Sequence, residues 1–175
     1  SEEQIKWLEN DCDKISKKIL DIKNTYPWVW GRAGREQKEF LVSKYLEEGR
    51  KILLLSDRKN HLGLIKESLD NKHVLTGKTF TTGYYLGGMK QADLEKTEKN
   101  DVILGTFSMA SEGFDCREPL DTIILASPKS SIEQAVGRIL RQEAKDRKFV
   151  PLIIDIIDEF GTFPRQGLKR VQFYK

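Results

Sequence analysis

Hydrophobic positions along this chain fall into two textures. From Glu2 to Ile22 the apolar residues Ile5, Leu8, Cys12, Ile15, Ile19 and Ile22 recur at intervals of three and four. That interval lays one apolar stripe along a helix, with Lys and Glu on the other face. The stretch TYPWVWGRAGRE (25–36) breaks the period at Pro27, Gly31 and Gly34 and reads as a linker packed by Trp28 and Trp30. A second helix is predicted over 35–48, ending at Gly49, which suits the position just past a helix C-terminus.

Beyond Gly49 short apolar runs alternate with helical stretches. KILLLS (51–56), HVL (73–75), GYYLG (83–87), DVILG (101–105), DTIILA (121–126) and VPLIIDII (150–157) read as strands. Continuous apolar runs too short for a helix are what strands buried on both faces require. Helices are predicted over 57–70, with Leu62, Ile65 and Leu69 on one face, over 90–98 and over 130–142; the tail PRQGLKRVQFYK reads as a short basic helix. This alternation predicts an α/β fold, a doubly wound and mostly parallel sheet. Residues 1–34 form a helical lead-in and linker in this reading, and 35–175 the α/β domain. Ligands of such sheets sit outside the carboxyl ends of the strands. The positions to inspect are therefore Ser56–Asp57–Arg58, Gly87–Gly88, Thr106 to Asp115, and the helix whose N-cap is Ser130 or Ser131.

Composition narrows the classes. Thirty Lys+Arg against 27 Asp+Glu leave a net charge of +3, so any nucleic-acid affinity must come from local patches. Cys12 and Cys116 lie far apart, which argues against a disulfide scaffold and for an intracellular setting: cytoplasm, nucleus or a virion interior. No apolar run approaches the ~18 residues of a membrane span, and the N-terminus lacks a signal-peptide pattern.

Two segments carry candidate chemistry. In SSIEQAVGRILRQ (130–142), at ~100° per residue, Gln134, Arg138 and Arg141 fall within an arc of about 60°. Ile132, Ala135, Val136, Ile139 and Leu140 take the opposite side, and Gly137 leaves room beside the polar stripe. One amide and two planar forked cations suit a phosphate, although a solvated helix face explains the same spacing. In DVILGTFSMASEGFD (101–115) a strand runs into a loop carrying Thr106, Ser108, Ser111, Glu112, Gly113 and Asp115. Hydroxyls and backbone N–H groups there can hold a nucleic-acid phosphate, and Gly113 with Asp115 can approach a nucleotide and its ribose. Ordinary turn chemistry uses the same residues.

Taken together, these segments resemble the superfamily-two helicases. Gln134-x-x-Gly137-Arg138-x-x-Arg141 resembles their motif VI, and Thr106 through Gly113-x-Asp115 their motif V, in the family's order. LLLSDR (53–58) resembles motif IV, and LGGM (86–89) a further phosphate-contacting segment. Spanning about Arg35 to Asp158, the resemblance identifies the chain as a C-terminal RecA-like domain, nearest in flavour to Rad25-like, poxviral and giant-virus transcription or repair helicases. It implies that Arg138 and Arg141 are catalytic arginine fingers aimed at ATP, with Gln134, Gly113 and Asp115 also at the nucleotide. It further implies that Ser56, Arg58, Gly88, Thr106 and Ser108 contact a DNA or RNA strand. ATP and Mg²⁺ would be held mainly by an N-terminal RecA-like domain absent from these residues.

Gly77-Lys78-Thr79 mimics the end of a phosphate-binding loop, but Lys72 stands where that motif needs glycine. Asp158-Glu159 follows motif VI, whereas the family's magnesium-binding Asp-Glu precedes it; His61 and His73 lack partners at metal-ligand spacing. The expectation is the C-terminal half of an ATP-dependent helicase or translocase, inactive in isolation. The alternative is a non-catalytic RecA-like module that binds nucleic acid or protein. A basic cluster at Arg165, Lys169, Arg170 and Lys175 is a candidate for extra phosphate contacts.

Overall fold

The runs KILLLS, DVILG, DTIILA and the LIID core form strands because each is wrapped on both faces. The computed structural model describes residues 35–77, 79–112, 114, 120–127, 129, 131–139, 148–156 and 163–173. In chain order these form α1 (Arg35–Glu47), β1 (Ile52–Leu55), α2 (Lys59–Thr76), β2 (Thr82–Tyr85), α3 (Gln91–Thr97) and β3 (Val102–Gly105). Then follow α4 (Phe107–Glu112), β4 (Thr122–Leu125), α5 (Glu133–Ile139), β5 (Leu152–Asp155) and α6 (Phe163–Phe173). The sheet runs β2-β3-β1-β4-β5, and every neighbouring pair is parallel. Ile52 aligns with Val102 and Thr122, and Leu55 with Gly105 and Leu125, so the strands end level.

Side chains alternate across this sheet with period two. Leu53, Leu55, Ile103, Ile123, Leu125 and Ile153 face Leu94 of α3, Phe107 and Ala110 of α4, and Ile132, Ala135 and Val136 at α5. Ile52, Leu54, Val102, Leu104, Ile124 and Ile154 face Leu41, Val42 and Tyr45 of α1 and Leu62, Ile65 and Leu69 of α2. A chain that winds helices onto both faces leaves its loops at the strand ends, which is where a site can form.

Gly49 ends α1 as the sequence predicts. Its φ is 81°, its N–H donates to Leu46 O at 2.9 Å, and Arg50 N–H donates to Tyr45 O at 3.1 Å. That paired return is a Schellman cap, open to glycine because φ is positive.

Three readings need correction. HVL (73–75) is the last turn of α2, not a strand: the helix ends where Gly77 takes φ 65°, and the Lys66–Asp70 pair at 2.6 Å lies inside it. Residues 107–112 are the short helix α4 rather than loop, since Phe107 and Ala110, three apart, both bury against the sheet. Arg170 is not a surface cation. It is 1% exposed and forms a bidentate pair with Asp155 at the end of β5, with distances of 2.6 and 2.8 Å. The lead-in helix at 2–22 and the linker lie outside the described residues.

At the amino ends of the strands, charges close on one another. Arg50, 7% exposed, donates to Glu48 at 3.1 Å, Thr122 Oγ1 at 3.4 Å and Val150 O at 3.0 Å, with Asp121 at 3.6 Å. Lys51 donates its ammonium to Glu98 O, and Asp101 accepts both the N–H and the hydroxyl of Thr81. Burial pushes the Asp121 carboxyl above its ordinary range, against the pull of Thr122, the Lys51 N–H and Arg50. A cavity of about 740 Å³ opens at this end, lined in part by Leu46, Arg50, Lys51, Lys72, Phe80 and Asp101.

Candidate nucleotide and nucleic-acid interface

The strand order sets which loops are neighbours. At the carboxyl ends, the loops after β2, β3, β1 and β4 stand side by side, carrying residues 86–90, 106–112, 56–58 and 126–132. Every predicted site residue that lies among the described residues is on this edge or on α5, which follows it.

After β1, Ser56 is fully buried. Its backbone N–H donates to Gly105 O at 3.1 Å, which extends the β1–β3 ladder, while its hydroxyl accepts the Arg58 N–H at 3.2 Å. The same hydroxyl lies 3.1 Å from His61 Nδ1, and Lys38 Nζ lies 3.2 Å from His61 Nε2. An ammonium can only donate, so Nε2 accepts and the proton of the neutral ring sits on Nδ1, facing Ser56. Burial and the nearby Lys38 and Arg58 charges lower the His61 pKa to about 4. Ser56 thus shapes the loop from inside, and Arg58 is the exposed side chain of the pair.

After β2, Met89 N–H donates to Leu86 O at 3.3 Å, closing a turn in which Gly88 takes φ 90°. A side chain at Gly88 would meet nothing within 4 Å, so the glycine answers the backbone angle and leaves the turn open to a ligand. Met109 of α4 lies against the neighbouring Gly87.

After β3, Thr106 and Ser108 come together, their hydroxyls 3.2 Å apart; Thr106 is buried and Ser108 exposed. Ser111 turns its hydroxyl back to Phe107 O at 2.8 Å, an internal bond of α4. Gly113 and Asp115 lie outside the described residues.

After β4, α5 packs against α4 through Ile132, Ala135, Val136 and Ala110, which leaves Gln134 and Gly137 exposed. Among the described residues, no side chain lies within 4 Å of where a Gly137 side chain would begin. Arg138 belongs to α5, and Arg141 lies outside the described residues. The predicted serine N-cap is replaced. Ile132 O accepts the Val136 N–H at 2.9 Å, and Ser131 donates its hydroxyl to Glu133 at 2.7 Å. That bond, with the backbone N–H groups of Glu133 and Ile132, holds the Glu133 carboxyl below its ordinary range.

Sequence reasoning missed the side chains that join these loops. Asp57 N–H donates to Ser127 Oγ at 3.0 Å, and Lys129 Nζ reaches the Asp57 carboxylate at 3.0 and 3.4 Å. Asp57 stood in the LLLSDR segment, but nothing in its spacing points to residues 70 and 72 positions later. No helix among the described residues is long and apolar enough to cross a membrane.

No protein-family model matches the chain. It is 39% identical over 137 residues to the putative ATP-dependent RNA helicase L396 of Acanthamoeba polyphaga mimivirus, covering 78% of this chain and 25% of that protein. It is 31% identical over 139 residues to the probable helicase D10 of Escherichia phage T5, covering 77% of this chain and 30% of the relative. The chain therefore spans about a quarter to a third of these relatives. Among solved structures, the C-terminal part of the Fun30 ATPase domain superposes with a TM-score of 0.61 at 13% identity, covering 89% of this chain and 53% of that one. T4 UvsW superposes at 0.59 and 16% identity, covering 95% of this chain and 37% of the other. Sequence kinship with viral helicases, and a parallel α/β fold shared with solved ATPase and helicase domains, mark the chain as a helicase-related domain of RecA-like fold.

Proposed function

We propose that this chain is one wall of an ATP-driven motor on nucleic acid: it supplies arginine fingers to ATP and part of the track for a DNA or RNA strand. The observation that carries the reading is the co-location of an open polar face on α5 with three loops at the same sheet edge. Gln134 is exposed, no side chain of the described residues fills the space beside Gly137, and Arg138 follows one residue later on the same helix. A stripe of that kind fits a phosphate arriving from outside the domain. When bound, ATP supplies the phosphoryl group transferred to water, and Mg²⁺ neutralises charge on it; both would be held mainly by another RecA-like domain of the same polypeptide. The part played by this chain is electrostatic. Arg138 and Arg141 would face the charge that develops on the transferring group, Gln134 would line the same cleft, and Gly113 and Asp115 would approach the nucleotide.

The strand track follows from the loops. Arg58 would pair with a phosphate, the open Gly88 turn would admit a backbone close to its N–H groups, and the Thr106–Ser108 hydroxyl pair would accept or donate beside them. Ser56 contributes from behind, by holding the Arg58 N–H. Contacts to phosphate and sugar carry no base readout, so strand binding here would be insensitive to sequence.

The test is turnover. In a polypeptide that joins this chain to a phosphate-binding RecA-like domain, Arg141→Ala and Arg138→Ala are each expected to cut ATP hydrolysis by roughly a thousand-fold. Strand affinity should stay within a few-fold. Near-normal turnover in either variant would overturn the arginine-finger assignment and favour a non-catalytic binding module.

A further inference from the structure

We infer that Lys129 is a positioning residue, the link through which strand binding at the β1 loop is felt by the helix carrying Arg138; this rests on the functional reading above. The backbone ladder between β1 and β4 closes with Ala126 N–H on Leu55 O at 2.8 Å. Past that bond the two loops are held by side chains: Asp57 N–H on Ser127 Oγ, and the Lys129 ammonium on the Asp57 carboxylate. Asp57 is the immediate neighbour of Arg58, and Lys129 precedes the first residue of α5, Glu133, by four positions.

Lys129 is also gripped from two other directions. Its ammonium lies 5.6 Å from the centre of the Phe107 ring, the residue between Thr106 and Ser108. Its carbonyl accepts a hydrogen bond from Arg170, whose guanidinium is fixed by the buried pair with Asp155. The backbone of Lys129 is therefore anchored to the sheet and α6, while its side chain bridges the loops after β1 and β3.

The bridge is built to respond. Lys129 and Asp57 side chains are 38% and 44% exposed, so their pair is weak and can exchange partners. A phosphodiester seated on Arg58 places negative charge beside the Asp57 carboxylate and competes with it for the Lys129 ammonium. Either effect releases the Lys129 side chain from the β1 loop and frees the segment that leads into α5 from that tie.

Hydrogen exchange on this chain, with and without a saturating single-stranded oligothymidylate or oligouridylate, tests the link. Peptides covering α5 should change their exchange rate about fivefold on binding. Lys129→Met and Asp57→Asn should keep the thermal midpoint and hold oligonucleotide affinity within about fivefold, yet lose the α5 response; Lys129→Arg should restore it. An undiminished α5 response in Lys129→Met and Asp57→Asn would overturn the inference, as would binding without any α5 response in the unaltered chain. If the unaltered chain binds neither oligonucleotide, the strand-track reading itself falls and takes this inference with it.

Discussion

At the amino ends of β1 and β4, Arg50 directs its guanidinium to Glu48, Thr122 and Val150 O and stacks 4.8 Å from the Phe149 ring, almost out of solvent. At the carboxyl ends of the same strands Arg58 stands exposed, and its backbone N–H, rather than its guanidinium, is held by Ser56. The amino end also carries a cavity of about 740 Å³, whereas the carboxyl end offers an open glycine turn and one exposed helix face. The presence of a cavity would draw attention to the amino end. Chemistry favours the other, because the charges around the cavity face one another while the carboxyl end presents donors to solvent.

If the amino end is structural, Arg50→Ala should be the most damaging change to stability. It removes the cation facing the half-buried Asp121 and the donors to Thr122 Oγ1 and Val150 O, and a loss of about 3 kcal/mol is expected in denaturant unfolding. The folded fraction should bind oligonucleotide as before; a variant of unchanged stability would break the contrast.

His61 sharpens the carboxyl side. Its pKa is about 4 in the folded chain and near 6.5 when unfolded. Between those values the unfolded state binds the extra proton, so stability is complete above pH 6.5 and declines as pH falls toward 4. Because the ring is partly exposed, the loss should be on the order of 1 kcal/mol. His61→Gln should flatten that part of the stability profile; an identical profile in the variant would show that the Lys38–His61–Ser56 chain does not titrate as its geometry requires.

Much of this was legible in the sequence. KILLLS, DVILG, DTIILA and the LIID core announce strands because parallel pairing buries both faces, which leaves unbroken apolar runs. HVL carried the same surface signal and misled, since so short a run has no period and the turn that ends α2 lies further on, at Gly77. The FSMASE helix was hidden by its serines, which suit a loop as well as a helix. Arg170 was hidden differently: nothing local to LKRVQF distinguishes a cation that meets Asp155 across the fold from one in solvent. For the site, motif spacing singled out residues that the fold gathers at one edge of the sheet. The Asp57–Ser127–Lys129 junction depends on β1 and β4 being neighbours, a fact of strand order that no local pattern contains.

The claim that the carboxyl end is the working end meets its most direct test in the salt dependence of oligonucleotide affinity for two single variants, Arg58→Ala and Lys72→Ala. Arg58→Ala should weaken binding several-fold and lower the log–log salt slope by about 0.7, the share of one lost phosphate contact on a single strand. Lys72→Ala, which removes a cation from the cavity lining at the opposite end, should leave both affinity and slope unchanged. The reverse pattern, with Lys72 setting the slope and Arg58 silent, would contradict the account.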